Sequence, residues 1–320
     1  MSAAATKPLL YHLPLGLTTY SRASLIQESL VSLHLAYKTG YLLKQRHSPS
    51  SPPTTLSLPP LPPPTIITSE FSPPVYTSGL RQQHKIPASQ KEYLTTTPHP
   101  VTGEYAEFVE ARRGGQITWH GRGQCTIYPV VDLRTLHLPP PPGNANENVN
   151  EKGKESRRIN RGWRGGVGVR DWVDLLEAVT IDVIHSYGVT SAARDKRHPG
   201  VWVGGNKISA VGVRVRRFVA NHGVGVNVNT DPWWWKKVVA CGLVGRGVTD
   251  LKREMMGVGG MGMGRLPGVQ EVGDRWVGEM AGRLGRSVKV VEVEEVLGVG
   301  WQERLRLAGG EGERDGEGGV

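Results

Sequence analysis

The chain has 320 residues, with 39 Lys and Arg against 29 Asp and Glu, giving a formal net charge of +10. That length holds one large domain or two small ones with a real core, and no apolar run approaches the ~18 residues that a membrane-spanning helix needs. Two cysteines, Cys125 and Cys241, exclude a disulfide framework and a cysteine-based zinc site, and they fit a reducing compartment. With three Phe and no interleaving of aromatic and basic residues, the charge reads first as a solubility surface rather than an RNA-binding sheet.

Glycine and proline make up about a fifth of the residues, against about an eighth in ordinary globular chains, which points to a folded core broken by disordered inserts. The first acidic residue is Glu28, preceded by Lys7 and Arg22. This acid-poor start fits a mitochondrial address, and it has no apolar h-region of a secretion signal. Residues 22–38 carry Ile26, Leu30, Leu33 and Tyr37 at helical spacing, with Ser21 as N-cap and Gly40 as stop. Residues 46–64 are Pro- and Ser-rich and read as a disordered, polyproline-like surface excursion. Strands are expected at 65–69, 105–110, 116–119 and 126–132. Residues 137–163 run from four prolines into polar sequence with no period, a second disordered insert. Residues 172–187 give the clearest helix, with Trp172, Leu175, Leu176, Val179, Val183 and Tyr187 on one face, Asp171 as cap and Gly188 as end. Further strands are expected at 201–203, 208–219 and 224–228. In 208–219, Val213 and Val215 alternate with Arg214 and Arg216, which predicts a strand with one wet face. Residues 308–320 are almost free of apolar side chains and are expected to be a disordered tail. The pattern predicts an α+β fold with a mixed or largely antiparallel sheet and flanking helices, in a single catalytic domain over 8–307.

Three segments could carry chemistry. The first, RRGGQITWHGRGQ (Arg112 to Gln124), sets glycine pairs on both sides of a short strand ending in His120. Gly114, Gly115, Gly121 and Gly123 permit close backbone approach, and Arg113 could hold an anion or a carbonyl. The plain alternative is a glycine-rich hairpin with no ligand, and the absence of Gly-Lys-Ser/Thr excludes a P-loop. The second, GVWVGGNKISAVGVRV (Gly200 to Val215), puts a lone Lys207 at the start of an apolar strand. It reads either as a solvated strand-end charge or as a lysine desolvated by its neighbours. The third, HGVGVNVNTDPWWWKKVVACGLVG (His222 to Gly245), holds Gly223, Gly225 and Cys241. A free cysteine is ordinarily a small buried hydrophobe. Trp233 to Trp235 read as packing, and Asp231 before Pro232 as a cap or turn.

Singly, none of these decides a function; their order and spacing do more. RGGxxTxHGxGQ, WVxxxKISAxG, HGxxxNVNTD and ACGLxGxGVT together resemble the lipoyl/octanoyl transferase family, lipoate-protein ligase B, in a eukaryotic, fungal-like version. The resemblance runs from YHLPLGLTTYSRASLIQESL (Tyr11 to Leu30) through PPVYTSGLRQQ (Pro73 to Gln83) to about Leu251. It implies a fold similar to the biotin/lipoate ligase and class II synthetase-like catalytic domain. It implies an octanoyltransferase that moves an octanoyl group from acyl carrier protein to a lysine of lipoyl domains, in the first step of endogenous lipoate biosynthesis. The acceptors implied are the lipoyl domains of 2-oxoacid dehydrogenase complexes and the glycine cleavage H protein. No cofactor, metal, nucleic acid or membrane span is implied, and the location is mitochondrial. By resemblance, Cys241 is the nucleophile that carries the acyl group as a thioester, and Lys207 is its acid/base partner. Arg113, Gly114, Gly115, Gln116, Ile117, Thr118, Trp119 and His120 would line the acyl pocket, completed by Ala210, Val211, Gly212, Gly223, Val224 and Gly225.

A thiol and an amine that share one proton can serve both half-reactions: the thiolate attacks the donor thioester, and the amine later deprotonates the incoming lysine. Cys125 is read as a packed hydrophobe. Arg122 replaces the proline of the usual HGPGQ, and Ala240 replaces the proline before the cysteine. Asp250 takes the serine position of GVTSL and is expected to add a negative charge near the site. Phe71 and Ser72 stand where the EHPPVYT-like stretch has histidine. The rival readings are an ATP-dependent lipoate or biotin ligase, a silent scaffold that binds lipoyl domains, and a nucleic-acid binder.

Overall fold

The computed structural model describes residues 7–46, 60–136, 166–195, 197–238, 246–258, 265–301 and 303. The expected insert over 137–163 and the tail over 308–320 lie outside the described residues, as do Ala240 and Cys241.

In chain order the elements are β1 (Leu9–Thr18), α1 (Tyr20–Arg46), β2 (Thr65–Phe71), β3 (Val75–Ser78), α2 (Ala88–Thr96), β4 (Glu107–Glu110), β5 (Thr118–His120) and β6 (Gln124–Asp132). Then come α3 (Val169–Ser186), β7 (Ala192–Arg194), β8 (Val201–Val203), β9 (Asn206–Arg216), β10 (Val219–Asn227), α4 (Pro232–Lys236), α5 (Leu251–Val258), α6 (Val269–Arg283), β11 (Ser287–Val290) and α7 (Val293–Leu297). Eight strands form one sheet in the order β11-β1-β2-β6-β10-β9-β8-β7, and β4-β3-β5 form a second. In the large sheet β1 is parallel to β11 and β2, while the remaining neighbours are antiparallel. The sheet is therefore mixed and the class α+β, as the sequence predicts.

The strand period of two sorts the core. Ile66 and Ile127 join the apolar cluster under α3 and α6, while their neighbours Ile67 and Tyr128 join the cluster under α1. A third cluster, with Tyr76, Leu94, Trp119 and Trp234, packs the small sheet against α2 and α4. Asp231 caps α4 by accepting from Trp233 N at 2.8 Å, with Pro232 at the first helical position. Trp234 is buried and Trp233 and Trp235 pack at the cluster edge, so the tryptophan triplet and its cap match the sequence reading.

Six local expectations are corrected. Helix α1 runs through Gly40 to Arg46. A mid-helix glycine costs only about 1 kcal/mol. Beside it Lys38 Nζ donates to Arg217 O at 2.6 Å and pairs with Asp132 at 2.7 Å. The helix start is held by Thr19, whose Oγ1 accepts from Arg22 N at 3.2 Å, rather than by Ser21. In α3 the N-cap is Gly168, and Asp171 sits in the first turn, where its charge meets the positive end of the helix. The single strand expected at 208–219 is two: β9 ends at Arg216, Arg217 and Phe218 turn at φ 48° and 68°, and β10 begins at Val219. Nor is the arginine face of β9 open to solvent along its length; it is half-buried under α1. Glu28 of α1 meets Arg214 at 3.4 Å and Arg216 at 2.5 Å. The insert expected over 46–64 is narrower: Arg46 is helical, and Pro64 O accepts from Tyr11 N at 2.9 Å beside β2. Residues 47–59 lie outside the described residues.

Candidate active site

One end of the large sheet gathers the chemistry. Antiparallel pairing of Val226 with Ser209 puts the end of β10 beside the start of β9, and Asn227 faces Gln124 at the start of β6. Lys207 stands there, second residue of β9 and only 6% exposed, so the solvated strand-end reading does not hold. Its ammonium donates to Pro199 O at 3.0 Å and lies 4.6 Å from the Trp202 ring centre. Gly200 makes room for it: at φ +123° its missing Cβ would lie 3.3 Å from Lys207 Cε and 2.6 Å from Ser209 O. Gly200 N in turn donates to the buried Glu177 carboxylate at 2.7 Å, whose proton affinity rises through burial.

The segment after Cys241 is fastened to this lysine. Lys207 N donates to Gly247 O at 2.9 Å and Thr249 N donates to Lys207 O at 3.0 Å. The Arg246 guanidinium lies 4.4 Å from the same Trp202 ring and bonds Asp195 at 2.6 Å. Asp195 is pushed down to about 2, first by the Arg197 backbone N–H and then by Arg246. Asp250 brings no bare charge to the site: its fully buried carboxylate accepts from Thr230 N and Arg253 N and pairs with the Arg253 guanidinium at 3.0 Å. It caps α5 instead.

The glycine-histidine block folds over the middle of β9. Gly114 N donates to Val213 O at 2.9 Å, and a Cβ on Gly212 would meet Gly114 O at 3.1 Å. Gly115 takes φ +89°. Arg113 is buried and holds carbonyls: Gly114 O, Gln116 O and Thr77 O at 2.8 to 3.0 Å. β9 and β10 pair Ala210 with Gly225, Val211 with Val224 and Gly212 with Gly223. Gly223 lies hard against β6, where a Cβ would fall 2.4 Å from Ile127 O. The structure thus brings together Arg113 to Gln116, Ala210 to Gly212 and Gly223 to Gly225. Ile117 and Trp119 pack away into the small-sheet cluster. Thr118, the β5 residue between them, pairs with Thr77 of β3.

His120 is buried between Tyr20 and Phe71, whose ring centres are 6.4 and 5.9 Å away. Burial, then the Arg113 charge, lowers its pKa to about 3. His222, at φ 56° against Tyr128, is lowered to about 3 by the same two causes. His120 Nδ1 bonds Gln124 Oε1 at 2.7 Å, Gln124 Nε2 donates to Asn227 Oδ1 at 2.9 Å, and Asn227 Nδ2 donates to Thr249 O at 2.9 Å. A buried polar chain therefore runs from His120 to the segment that brackets Lys207. A cavity of about 430 Å³ opens at this end of the sheet, lined by Glu70, His99, Trp119, Gly123, Asn229 and Trp234 among others. Of the residues that the resemblance gives to the acyl pocket, Trp119 alone lines it.

Cys125 is buried among apolar neighbours, with burial raising its thiol pKa, as expected of a packed hydrophobe. Among the described residues no group of three His, Cys, Asp or Glu side chains could hold a metal ion. Sequence reasoning missed Glu177, Trp202, Gln124 and Asn227. Only the fold pairs them with Lys207 and His120, although WVGGNK and HGRGQ already place Trp202 and Gln124 beside the two motifs.

A profile of the lipoyl protein ligase A/B catalytic domain matches residues 160–281. A mitochondrial octanoyltransferase of Arabidopsis thaliana is 30% identical over 241 residues, which is 75% of this chain and 77% of that protein. The mitochondrial octanoyl-[acyl-carrier-protein]:protein N-octanoyltransferase of Danio rerio is 31% identical over 72% of this chain and 85% of its own. Among solved structures, lipoate-protein ligase A bound with ATP aligns over 92% of this chain and 93% of its own, at 11% identity and a TM-score of 0.47.

Proposed function

The chain belongs to the lipoyl/octanoyl transferase family, and from that premise we propose that it moves an octanoyl group from acyl carrier protein to a lysine of lipoyl-bearing proteins through a thioester on Cys241. It is an acyltransferase of lipoate biosynthesis and, like its eukaryotic relatives, mitochondrial. The observation that carries the mechanism is the setting of Lys207. The side chain is buried beside Trp202, and its backbone is bonded on both sides to residues 247–249, just past Cys241 in the sequence.

In the first half-reaction the Cys241 thiolate attacks the donor thioester carbonyl. The new C–S bond forms, the carrier sulfur leaves, and the Lys207 ammonium gives that sulfur its proton. In the second, the amine of the target lysine attacks the octanoyl-Cys241 carbonyl. Lys207, now an amine, takes the proton from the attacking nitrogen, and the amide forms as the Cys241 thiolate leaves. The dyad returns to its starting charge. Exchange between two thioesters is near-neutral in energy and the amide is far more stable, so no ATP is needed. We assign the acyl pocket to Arg113–Gln116, Ala210–Gly212 and Gly223–Gly225, with His120 at the end of the block and Ile117 to Trp119 supporting it from the small sheet. The acceptors are lipoyl domains of 2-oxoacid dehydrogenase complexes and the glycine cleavage H protein. Such partners are acidic, so the +10 charge favours encounter.

Incubation with octanoyl-loaded acyl carrier protein, without ATP, is expected to add one octanoyl mass that hydroxylamine removes and that Cys241→Ala lacks. Transfer that appears only with ATP and free octanoate would move the chain to the ligase class. No transfer under either condition would leave only a binding role.

A further inference from the structure

The polar chain that starts at His120 has only one consistent arrangement of donors and acceptors. A peptide carbonyl accepts and never donates. Thr249 O therefore requires Nδ2 of Asn227, which turns Oδ1 toward Gln124. Asn227 Oδ1 and Trp119 O, at 2.9 and 3.2 Å, then both require Nε2 of Gln124. Flipping either amide would press oxygen against oxygen in a buried site and leave a buried donor without its acceptor. Gln124 Oε1 is left facing His120 Nδ1 at 2.7 Å, so that nitrogen carries the proton. The other ring nitrogen, Nε2, is buried with no hydrogen-bond partner among the described residues.

We propose that Gln124 and Asn227 are positioning residues: their amides hold His120 as the Nδ1–H tautomer, with Nε2 left as a bare acceptor, and tie that ring to the segment bracketing Lys207. Two backbone carbonyls, Trp119 O and Thr249 O, thus dictate the state of an imidazole that they do not touch. His120 serves as a fixed acceptor and not as a proton donor. The tie is also mechanical. Thr249 N is bonded to Lys207 O, so the acceptor at one end of the chain and the lysine at the other keep a common register. The kinetic part rests on the octanoyl-transfer reading; the tautomer does not.

The test has a spectroscopic arm that needs no variant of the relay. Imidazole nitrogen shifts in the ¹⁵N-histidine-labelled chain, with the His120 signals assigned by their loss in His120→Phe, are expected to show a protonated Nδ1 and a bare Nε2. A protonated Nε2, or a mixture of tautomers, would overturn the assignment. Gln124→Leu is expected to abolish the single tautomer. Asn227→Ser is expected to keep it, because Trp119 O still orients Gln124. In both variants kcat for transfer to a lipoyl domain should fall about ten- to hundredfold, while KM for the acceptor stays within about twofold. Wild-type kcat in Asn227→Ser would refute the mechanical tie. Should Gln124→Leu fail to fold, the wild-type tautomer and Asn227→Ser still decide.

Discussion

Gly200 shows how one missing atom serves a reactive group. Its positive φ and the 2.6 Å gap that a Cβ would leave to Ser209 O make alanine a double offence, in backbone and in packing. Gly200→Ala is expected to lower stability by about 1–3 kcal/mol and to reduce octanoyl transfer, because the displaced atoms include Lys207 Cε. Urea titration reads the first effect, and an unchanged midpoint with full activity would remove Gly200 from the account. A second residue-scale consequence concerns acid. Burial, the largest cause in each case, lowers His34 to about 4 and His120 and His222 to about 3. These folded-state values lie below the unfolded value of about 6.5, so between the two the unfolded chain binds more protons and stability rises with pH. Stability is therefore full above about pH 6.5 and falls as pH drops toward 4, by up to about 1.4 kcal/mol per unit for each histidine. His34→Gln should shallow that slope by one proton, measured from denaturation free energies at several pH values; an unchanged slope would sink the idea. In the sequence, Lys207 and the glycines stood out by type and spacing. Gln124 and Asn227 did not, since an amide among polar neighbours carries no signal until its partners are known.

Among the elements, the junction of α1 with the β9–β10 hairpin bears most on the site. Glu28 serves Arg214, Arg216 and Asn221 together, a three-way cluster where the sequence suggested water. Glu28→Gln leaves two guanidinium groups facing each other and is expected to lower stability by about 1 kcal/mol, more at low ionic strength. Chemical denaturation at two salt concentrations checks this, and a loss independent of salt would point to packing instead. The hairpin turn also explains why the strands were merged in the sequence reading. Two-residue turns with positive φ favour Asn and Gly, yet Arg217 and Phe218 occupy this one. Contacts from afar hold them: Lys38 and Thr39 bond Arg217, and Arg134 lies 3.7 Å from the Phe218 ring centre. Helix α3 was legible because its apolar stripe keeps one period from end to end. Strand β1 was not, because Pro14 and Gly16 flank a bulge that breaks its alternation.

Across the whole molecule, the described residues on either side of the long polar segment meet again in the core. Val167 N donates to Leu133 O at 2.9 Å, so the chain leaves and rejoins the core at one place. Leu133, Leu136, Val167 and Trp172 share a single cluster. We read residues 8–307 as one catalytic domain on that ground. Replacing 137–165 by a linker of about six residues should leave activity intact and raise stability by about 1 kcal/mol through cheaper loop closure. A protein that no longer folds would show the insert to be part of the core. The α+β class and the mixed sheet were legible in the alternation of strand and helix patterns. The pairing of the first strand with the last was not, since nothing local in either segment names its partner.

That pairing has a consequence in time. Leu9 to His12 of β1 lie beside Ser287 to Val290 of β11, so β1 is covered only by a strand made about 270 residues later, and β11 then becomes the edge of the sheet. While the chain is being synthesised, or threaded amino end first through a translocation pore, β1 waits with one rim of hydrogen-bonding groups open to any passing strand. Once residue 290 emerges the rim passes to β11, a four-residue edge strand carrying Lys289, and a short, charged edge resists further pairing. A stalled or shortened chain would therefore carry its whole catalytic sequence and still present a sticky edge, which makes the closing strand a checkpoint on completeness.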